Sequence, residues 1–523
     1  MKILKPFTSR RFNYALAALL ILAVNGNALA EPVTEKVQYY YSHRREVAAQ
    51  YGTWDTTKRP SPVRNIHAAL LRTGKVLLIA GSGNDEKNFD AKSFRSVLWD
   101  PETNEFTDIP TPWDAFCAGH VFLPNGNLLV AGGTAKYEDL TVQPKQDYEG
   151  LKDSYEFNPL TERYEKVDSM DFARWYPTLV ALKDGKILSS SGLDENGFLL
   201  NGQTEIYDPA TKEWTERKDL NRYLPTYPAL FLMADGQLFY SGSTDGYGDP
   251  QKGRTPGLWN LNDNSFKEVP GLPDKDIVET STSVLLPPAQ DQKVMILGGG
   301  AVGDSPVTTD RTAIADLDEE NPQYVQGPNL NEGMRYPNAV ILPNDTVLQT
   351  GGSRDYRADD ILEANIYDPK TNKFTKAANP TIGRNYHSQA LLLPDGRVAT
   401  FGSNPLDNSF EMRIEIYSPA YLYKDTPRPV IKGGEKELTW GSTTELKTSN
   451  PSDIQKVKLM RPSAVTHVTD VEQRSVDLDF TRTKDGVTIQ VPDNQGLLPA
   501  GWYMAFATDK HGVPSKAYWV HVD

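Results

Sequence analysis

One motif recurs along most of the chain: a short apolar strand, a tight turn, a second apolar strand and then small residues. Its copies begin at Asn65-Ile66-His67-Ala68-Ala69-Leu70, Phe116-Cys117-Ala118-Gly119-His120, Trp175-Tyr176-Pro177-Thr178-Leu179, Thr226-Tyr227-Pro228-Ala229-Leu230, Ser281-Thr282-Ser283-Val284-Leu285, Arg335-Tyr336-Pro337-Asn338-Ala339 and Tyr386-His387-Ser388-Gln389-Ala390, seven in all. Within the copies Asn125-Gly126, Asp184-Gly185, Asp235-Gly236 and Asp395-Gly396 stand at the turn, and Gly supplies the positive φ that a tight hairpin demands. A second phrase, an aromatic followed by Asp or Asn and often Pro, recurs at Trp99-Asp100-Pro101, Phe157-Asn158-Pro159, Tyr207-Asp208-Pro209 and Tyr367-Asp368-Pro369, and reads as an outer hairpin. Gly126, Gly185 and Gly236 are 59 and 51 residues apart, close to the period of kelch-type blades.

A four-stranded unit of this kind cannot bury both sheet faces alone. Seven of them are expected to close radially around a central channel, as an all-β, seven-bladed kelch-like β-propeller over 61–425. The inner strands then start near the axis, where residues from several blades converge. After Tyr417-Ser418-Pro419 the repeat stops, and Lys424-Asp425-Thr426-Pro427-Arg428-Pro429 reads as a linker. Strand-like runs at 456–460, 475–480, 487–491, 502–508 and 517–522 predict a C-terminal immunoglobulin-like β-sandwich over 426–523, without the Cys, Trp, Cys spacing of true immunoglobulin domains.

The other end of the chain reads as an export signal over 1–30. Lys2, Lys5, Arg10 and Arg11 give a basic start, 14–24 is apolar, and Ala28-Leu29-Ala30 is a small-residue cleavage site; an uncleaved anchor is the alternative. A lead-in is expected over 31–60. The net charge of −14, or −18 without the four basic residues of the leader, excludes a nucleic-acid binder that relies on counterion release. An exported chain is free to form disulfides, yet Cys117 is the single cysteine, so it is either an inert core residue or one with a chemical task.

Among seven His, Tyr386-His387 at the start of an inner strand is the most suggestive pair, because phenolate oxygen and imidazole nitrogen suit Cu(II). Neighbours on a regular strand face opposite ways, so both reach one metal only where the strand is irregular. A hydrogen-bonded structural His explains the pair equally well. His120, three residues after Cys117, is expected to face away from it, and His67 to pack or line the channel.

Four separated segments carry a resemblance to the galactose oxidase and glyoxal oxidase family of copper radical oxidases. Arg384-Asn385-Tyr386-His387-Ser388 resembles the segment with the axial tyrosine and a histidine, and Phe116-Cys117-Ala118-Gly119 the segment with the crosslinked cysteine. Arg174-Trp175-Tyr176-Pro177 is similar to the glyoxal-oxidase form of the radical-tyrosine segment, and Arg461-Pro462-Ser463-Ala464-Val465-Thr466-His467 with Gln473-Arg474 to the C-terminal segment that delivers the second histidine. The lead-in is too short for the carbohydrate-binding domain of galactose oxidase, so the layout is nearer glyoxal oxidase and its bacterial relatives.

The resemblance implies one copper ion held by Tyr176, Tyr386, His387 and His467, and a thioether between Cys117 and Tyr176 as a protein-derived radical cofactor. It implies an exported oxidase of small aldehydes or primary alcohols, with a glycan as a possible substrate, that uses dioxygen and releases hydrogen peroxide. In the implied cycle Tyr386 accepts the substrate proton and the Cys117–Tyr176 radical takes a hydrogen atom from carbon. The chain has Gly192-Leu193 where galactose oxidase has a tryptophan over the crosslinked tyrosine. Trp259 is a candidate for that shielding, though Asn260 follows it as Asp100 follows Trp99, which reads as an outer-strand aromatic. The alternative function is a non-catalytic kelch-like propeller that binds glycan or protein.

Overall fold

The computed structural model describes residues 31–523, so the expected signal or anchor over 1–30 lies outside the described residues. Seven antiparallel four-stranded blades follow in chain order. Their inner strands are His67–Leu70, Gly119–Phe122, Thr178–Ala181, Leu230–Leu232, Thr282–Leu285, Asn338–Ile341 and Ser388–Leu392, which we number as blades 1 to 7. The glycines of the inner hairpins take the positive φ the turns require, 84° at Gly126, 80° at Gly185 and 89° at Gly236. The outer hairpins are closed by the aspartate or asparagine of the second phrase, whose side-chain oxygen accepts a main-chain N–H two residues on, at Asn158, Asp208 and Asp368. The preceding indole does related work: Trp99 and Trp259 donate to Asn104 and Asn264, each at 2.9 Å.

Each blade presses both faces on its neighbours, so the second strands are almost wholly buried, polar residues such as Ser189, Gln349 and Thr400 included. Val76–Gly81 and Leu128–Ala131 are buried at every position, which contributes about 1.5–3 kcal/mol for each large aliphatic side chain. Trp99 of blade 1 meets Phe401 of blade 7 edge to face, with centroids 5.5 Å apart, at the seam of the ring. The seam is tied by the chain's own beginning: Thr53–Thr56, inside the expected lead-in, is the outer strand of blade 7 and pairs with Glu415–Ser418. Helices Glu31–Ser42 and Arg45–Tyr51 precede it, and among the described residues no helix is long and apolar enough to cross a membrane.

The C-terminal domain is a β-sandwich built on the expected runs, observed as Ile454–Met460, Ser475–Arg482, Gly486–Gln490, Gly501–Asp509 and Tyr518–Val522. Ser475–Arg482 belongs to both layers, since its first half pairs with Val457–Met460 and its second with 487–490. One short strand leaves the sandwich altogether. Ala464–Thr466 pairs with the innermost strand of blade 1, through Ala69, Ala68 and His67, and so enters the propeller channel as its fifth strand.

Candidate metal centre

The blade starts explain how a propeller axis can gather reactive side chains. Ahead of six inner strands stands a residue in the left-handed region: Cys117 at φ 61°, Tyr176 at 64°, Tyr227 at 45°, Thr280 at 59°, Tyr336 at 56° and His387 at 58°. None is glycine, and each such position costs about 1–3 kcal/mol. Hydrogen bonds between neighbouring blades hold the conformation: the N–H of Tyr176 donates to the Cys117 carbonyl, that of Tyr227 to Tyr176 and that of Tyr336 to Thr280, at 3.0, 3.0 and 2.8 Å. The irregularity that Tyr386 and His387 need in order to face one point is therefore present, and their rings lie 3.7 Å apart, centroid to centroid.

Blade 1 has no such residue at its start, and the C-terminal strand brings one. His467, at φ 49°, follows Ala464–Thr466 into the axis. Its Nδ1 is 2.6 Å from the Thr466 hydroxyl, which leaves Nε2 2.8 Å from the Tyr176 hydroxyl. The loop behind it is clamped to the propeller. Gln473 donates to Ala339 O and accepts from Ile341 N, Glu472 accepts from Phe122 N, and Arg474 donates to Leu232 O. The Gln473-Arg474 pair picked out in the sequence thus seats the histidine loop.

At the centre the Tyr176 and Tyr386 hydroxyls are in direct contact. The ligand atoms of Cys117, His387 and His467 lie within 4.8 Å of one another, and all three residues are buried. Neither nitrogen of His387 has a hydrogen-bond partner although the residue is fully buried. Both nitrogens of His120 lack partners too, so burial alone does not mark a ligand; what sets His387 apart is that it packs against Tyr386 and His467 at the centre, at 3.7 and 4.5 Å between ring centroids. Two phenol oxygens and two imidazole nitrogens facing one point form the donor set expected of Cu(II), so the residues present fit that ion.

Burial raises both phenols well above their usual pKa and lowers both imidazoles well below theirs, so the metal-free site is protonated at oxygen and neutral at nitrogen. The Arg357 guanidinium, 4.7 Å over the Tyr386 ring, works against burial and favours that phenolate. Burial likewise pushes the Cys117 thiol up, opposed by the Tyr176 phenol beside it. Tyr176, Tyr386 and Phe116 line a cavity of about 1050 Å³, with Tyr148, Trp175, Asp245 and Arg357 in its walls.

All five residues singled out in the sequence meet at this point. His67 and His120 do not: their rings pack edge to face at 5.0 Å, and the His67 Nε2 lies 3.2 Å from the Ala115 carbonyl. Trp259 does not shield the centre either; it is the third-strand aromatic of blade 4, buried against Leu232, Leu238 and Tyr240. The ring over Tyr176 is its neighbour Trp175, with centroids 3.7 Å apart and planes 4° from parallel, and its indole N–H donates to Thr134 at 3.0 Å. Gly192-Leu193, where galactose oxidase has its tryptophan, instead anchors Trp175 through two main-chain hydrogen bonds between Trp175 and Leu193, each 2.8 Å. Tyr227, 4.3 Å from Tyr176 on the ring's other flank, was legible only through its matching place in the repeat.

Comparison with known proteins gives a consistent picture. The profile of the glyoxal oxidase N-terminus family matches residues 83–421, and that of the galactose oxidase-like early set domain matches 428–522. A galactose oxidase of Gibberella zeae is 27% identical over 90% of this chain and 70% of its own length. An aldehyde oxidase of Vitis pseudoreticulata is 25% identical over 90% of this chain and 97% of its own. A fungal alcohol oxidase of the AA5 family, solved in complex with copper, shares the fold with a TM-score of 0.76 at 22% identity, covering 90% of this chain and all of that one.

Proposed function

Because the chain belongs to the glyoxal oxidase family of copper-dependent oxidases, we propose that it is an exported copper radical oxidase. In this reading it oxidises small aldehydes or primary alcohols with dioxygen and releases hydrogen peroxide. The observation that carries the reading is the convergence of the Tyr176 and Tyr386 oxygens with His467 and the doubly orphaned His387, beside the single thiol of the chain.

Tyr176, Tyr386, His387 and His467 hold the copper. When bound, the ion supplies one of the two redox equivalents and acidifies the substrate hydroxyl. Tyr386 accepts the hydroxyl proton at its phenolate oxygen, as general base. Tyr176, joined to the Cys117 sulfur through its ring, supplies the second equivalent as a radical and takes a hydrogen atom from the substrate carbon. Trp175, stacked on Tyr176, and Tyr227 on its flank keep water off the radical. Dioxygen takes up the two electrons and two protons. The leader sequence supports export, and the cavity, with its mouth between the blade loops, is large enough for a small aldehyde or a sugar alcohol.

The test is peroxide release by metal-depleted protein reloaded with Cu(II), screened against small aldehydes, primary alcohols and sugars. Turnover is expected from the wild type and none from Cys117→Ala. A fully copper-loaded wild type that releases no peroxide with any of them would leave the non-catalytic propeller as the better reading.

A further inference from the structure

The stack over Tyr176 does not end at Trp175. Tyr148 lies on the far face of the indole, with centroids 4.4 Å apart and planes 6° from parallel, so three rings, Tyr176, Trp175 and Tyr148, form one continuous pile. Tyr148 comes from the loop before Glu149–Gly150, which pairs with Thr134–Lys136 in a small two-stranded sheet inserted between the second and third strands of blade 2, a part of the chain that contributes nothing to the metal cluster. Its ring is on the cavity wall. Tyr137 continues the row at 5.2 Å, and Phe116 packs its edge on Tyr148 at 6.1 Å. Shielding of a radical needs one ring. A second oxidisable ring, placed in register on the outer face of the first and reaching the cavity, adds nothing to shielding and gives an electron a path.

We propose that Trp175 and Tyr148 are a one-electron relay between the Tyr176–Cys117 cofactor and an oxidant in the cavity. The inference rests on the copper radical reading above. An outer-sphere one-electron oxidant of the ferricyanide class removes an electron from Tyr148, whose phenolic proton passes to cavity water. Tyr148 recovers its electron from Trp175 and its proton from that water, and Trp175 recovers its electron from the copper-bound Tyr176 phenolate. The sum is one electron from the cofactor to the oxidant, with no net proton. Run backwards toward a reductant, the same path drains an idle radical without damage to the ligands. Stacked π faces give the orbital overlap such steps need, and Trp and Tyr have accessible one-electron oxidations where Phe has none. The relay thus loads the radical without the oxidant reaching the metal.

The experiment uses the full chain, copper-loaded and crosslinked, with its radical reduced, and follows the radical by its optical band and paramagnetic signal after mixing with ferricyanide. Tyr148→Phe keeps the stacked ring and removes the oxidisable group, and Tyr148→Trp restores one. Tyr148→Phe is expected to slow radical formation about tenfold or more and to lengthen the radical's life once oxidant is removed, with copper content and crosslink unchanged. Tyr148→Trp is expected to recover the wild-type rate. Equal rates in wild type and Tyr148→Phe, or a Tyr148→Trp protein as slow as Tyr148→Phe, would overturn the relay while leaving the oxidase reading intact. A wild type that yields no radical at all would overturn the oxidase reading, and the relay with it.

Discussion

His387 has two nitrogens and no partner for either, while Tyr176 and Tyr386 share one contact between two buried hydroxyls. Both features resolve when a cation sits among them, and the phenols must then lose their protons. Copper uptake is therefore expected to release about two protons per ion from these tyrosines, and apparent affinity should climb with pH. Titration calorimetry in buffers of different ionisation enthalpy, on Cys117→Ala to exclude crosslinking, reads that number directly. His120 makes a separate test of burial. It is held down to about 4 by desolvation, against an ordinary 6.5. The neutral ring's contribution is complete above pH 6.5 and is lost as pH falls through 4, because the unfolded chain binds the proton first. His120→Asn should remove about 3 kcal/mol of pH dependence between those limits, measured by denaturant unfolding of metal-free protein.

At the scale of the element, the decisive unit is the left-handed residue ahead of six of the seven inner strands. Gly402 shows how tightly it is enclosed in blade 7. It pairs with Ser388, has φ 68°, and a Cβ there would lie 2.1 Å from the His387 carbonyl oxygen. Gly402→Ala is expected to destabilise the protein by about 2 kcal/mol or more and to weaken copper binding by moving His387, read by denaturant midpoint and metal titration together. The blades themselves were legible, because Asn-Gly, Asp-Gly and the aromatic-Asp-Pro phrase are local and each has a backbone reason. The left-handed turns were not, since they are occupied by Tyr, Cys, Thr and His, which do not advertise positive φ. For the same reason the five central residues were legible through their family resemblance, while Trp175 was missed. On a regular strand it would point away from Tyr176, and only the turn at φ 64° lays one ring on the other.

Across the whole molecule, two distant pieces of chain finish what the repeats begin. Ala464–Thr466 carries His467 to the axis from the C-terminal domain, which buries Lys458 and Asp345 as an ion pair between the domains. Thr53–Thr56 closes the ring, with Trp54 buried against Tyr417 at 5.0 Å and its indole donating to Ala378 O at 2.7 Å. Sequence repetition cannot reveal such a closing strand, because it stands outside the repeat and pairs with a partner more than 350 residues away. Trp54→Ala should cost about 3–5 kcal/mol and lower the thermal midpoint of the whole propeller in one transition, not of blade 7 alone, because a closed ring opens at every seam together.

The central claim is that Cys117 and Tyr176 become one cofactor around a copper held by both domains. Intact mass and peptide mapping of protein made without copper, before and after Cu(II) is added under air, examine it most directly. The expected result is a mass loss equal to one hydrogen molecule, with the Cys117 and Tyr176 peptides joined by a bond that resists reduction. Separate peptides and an alkylatable Cys117 after full copper loading would contradict it.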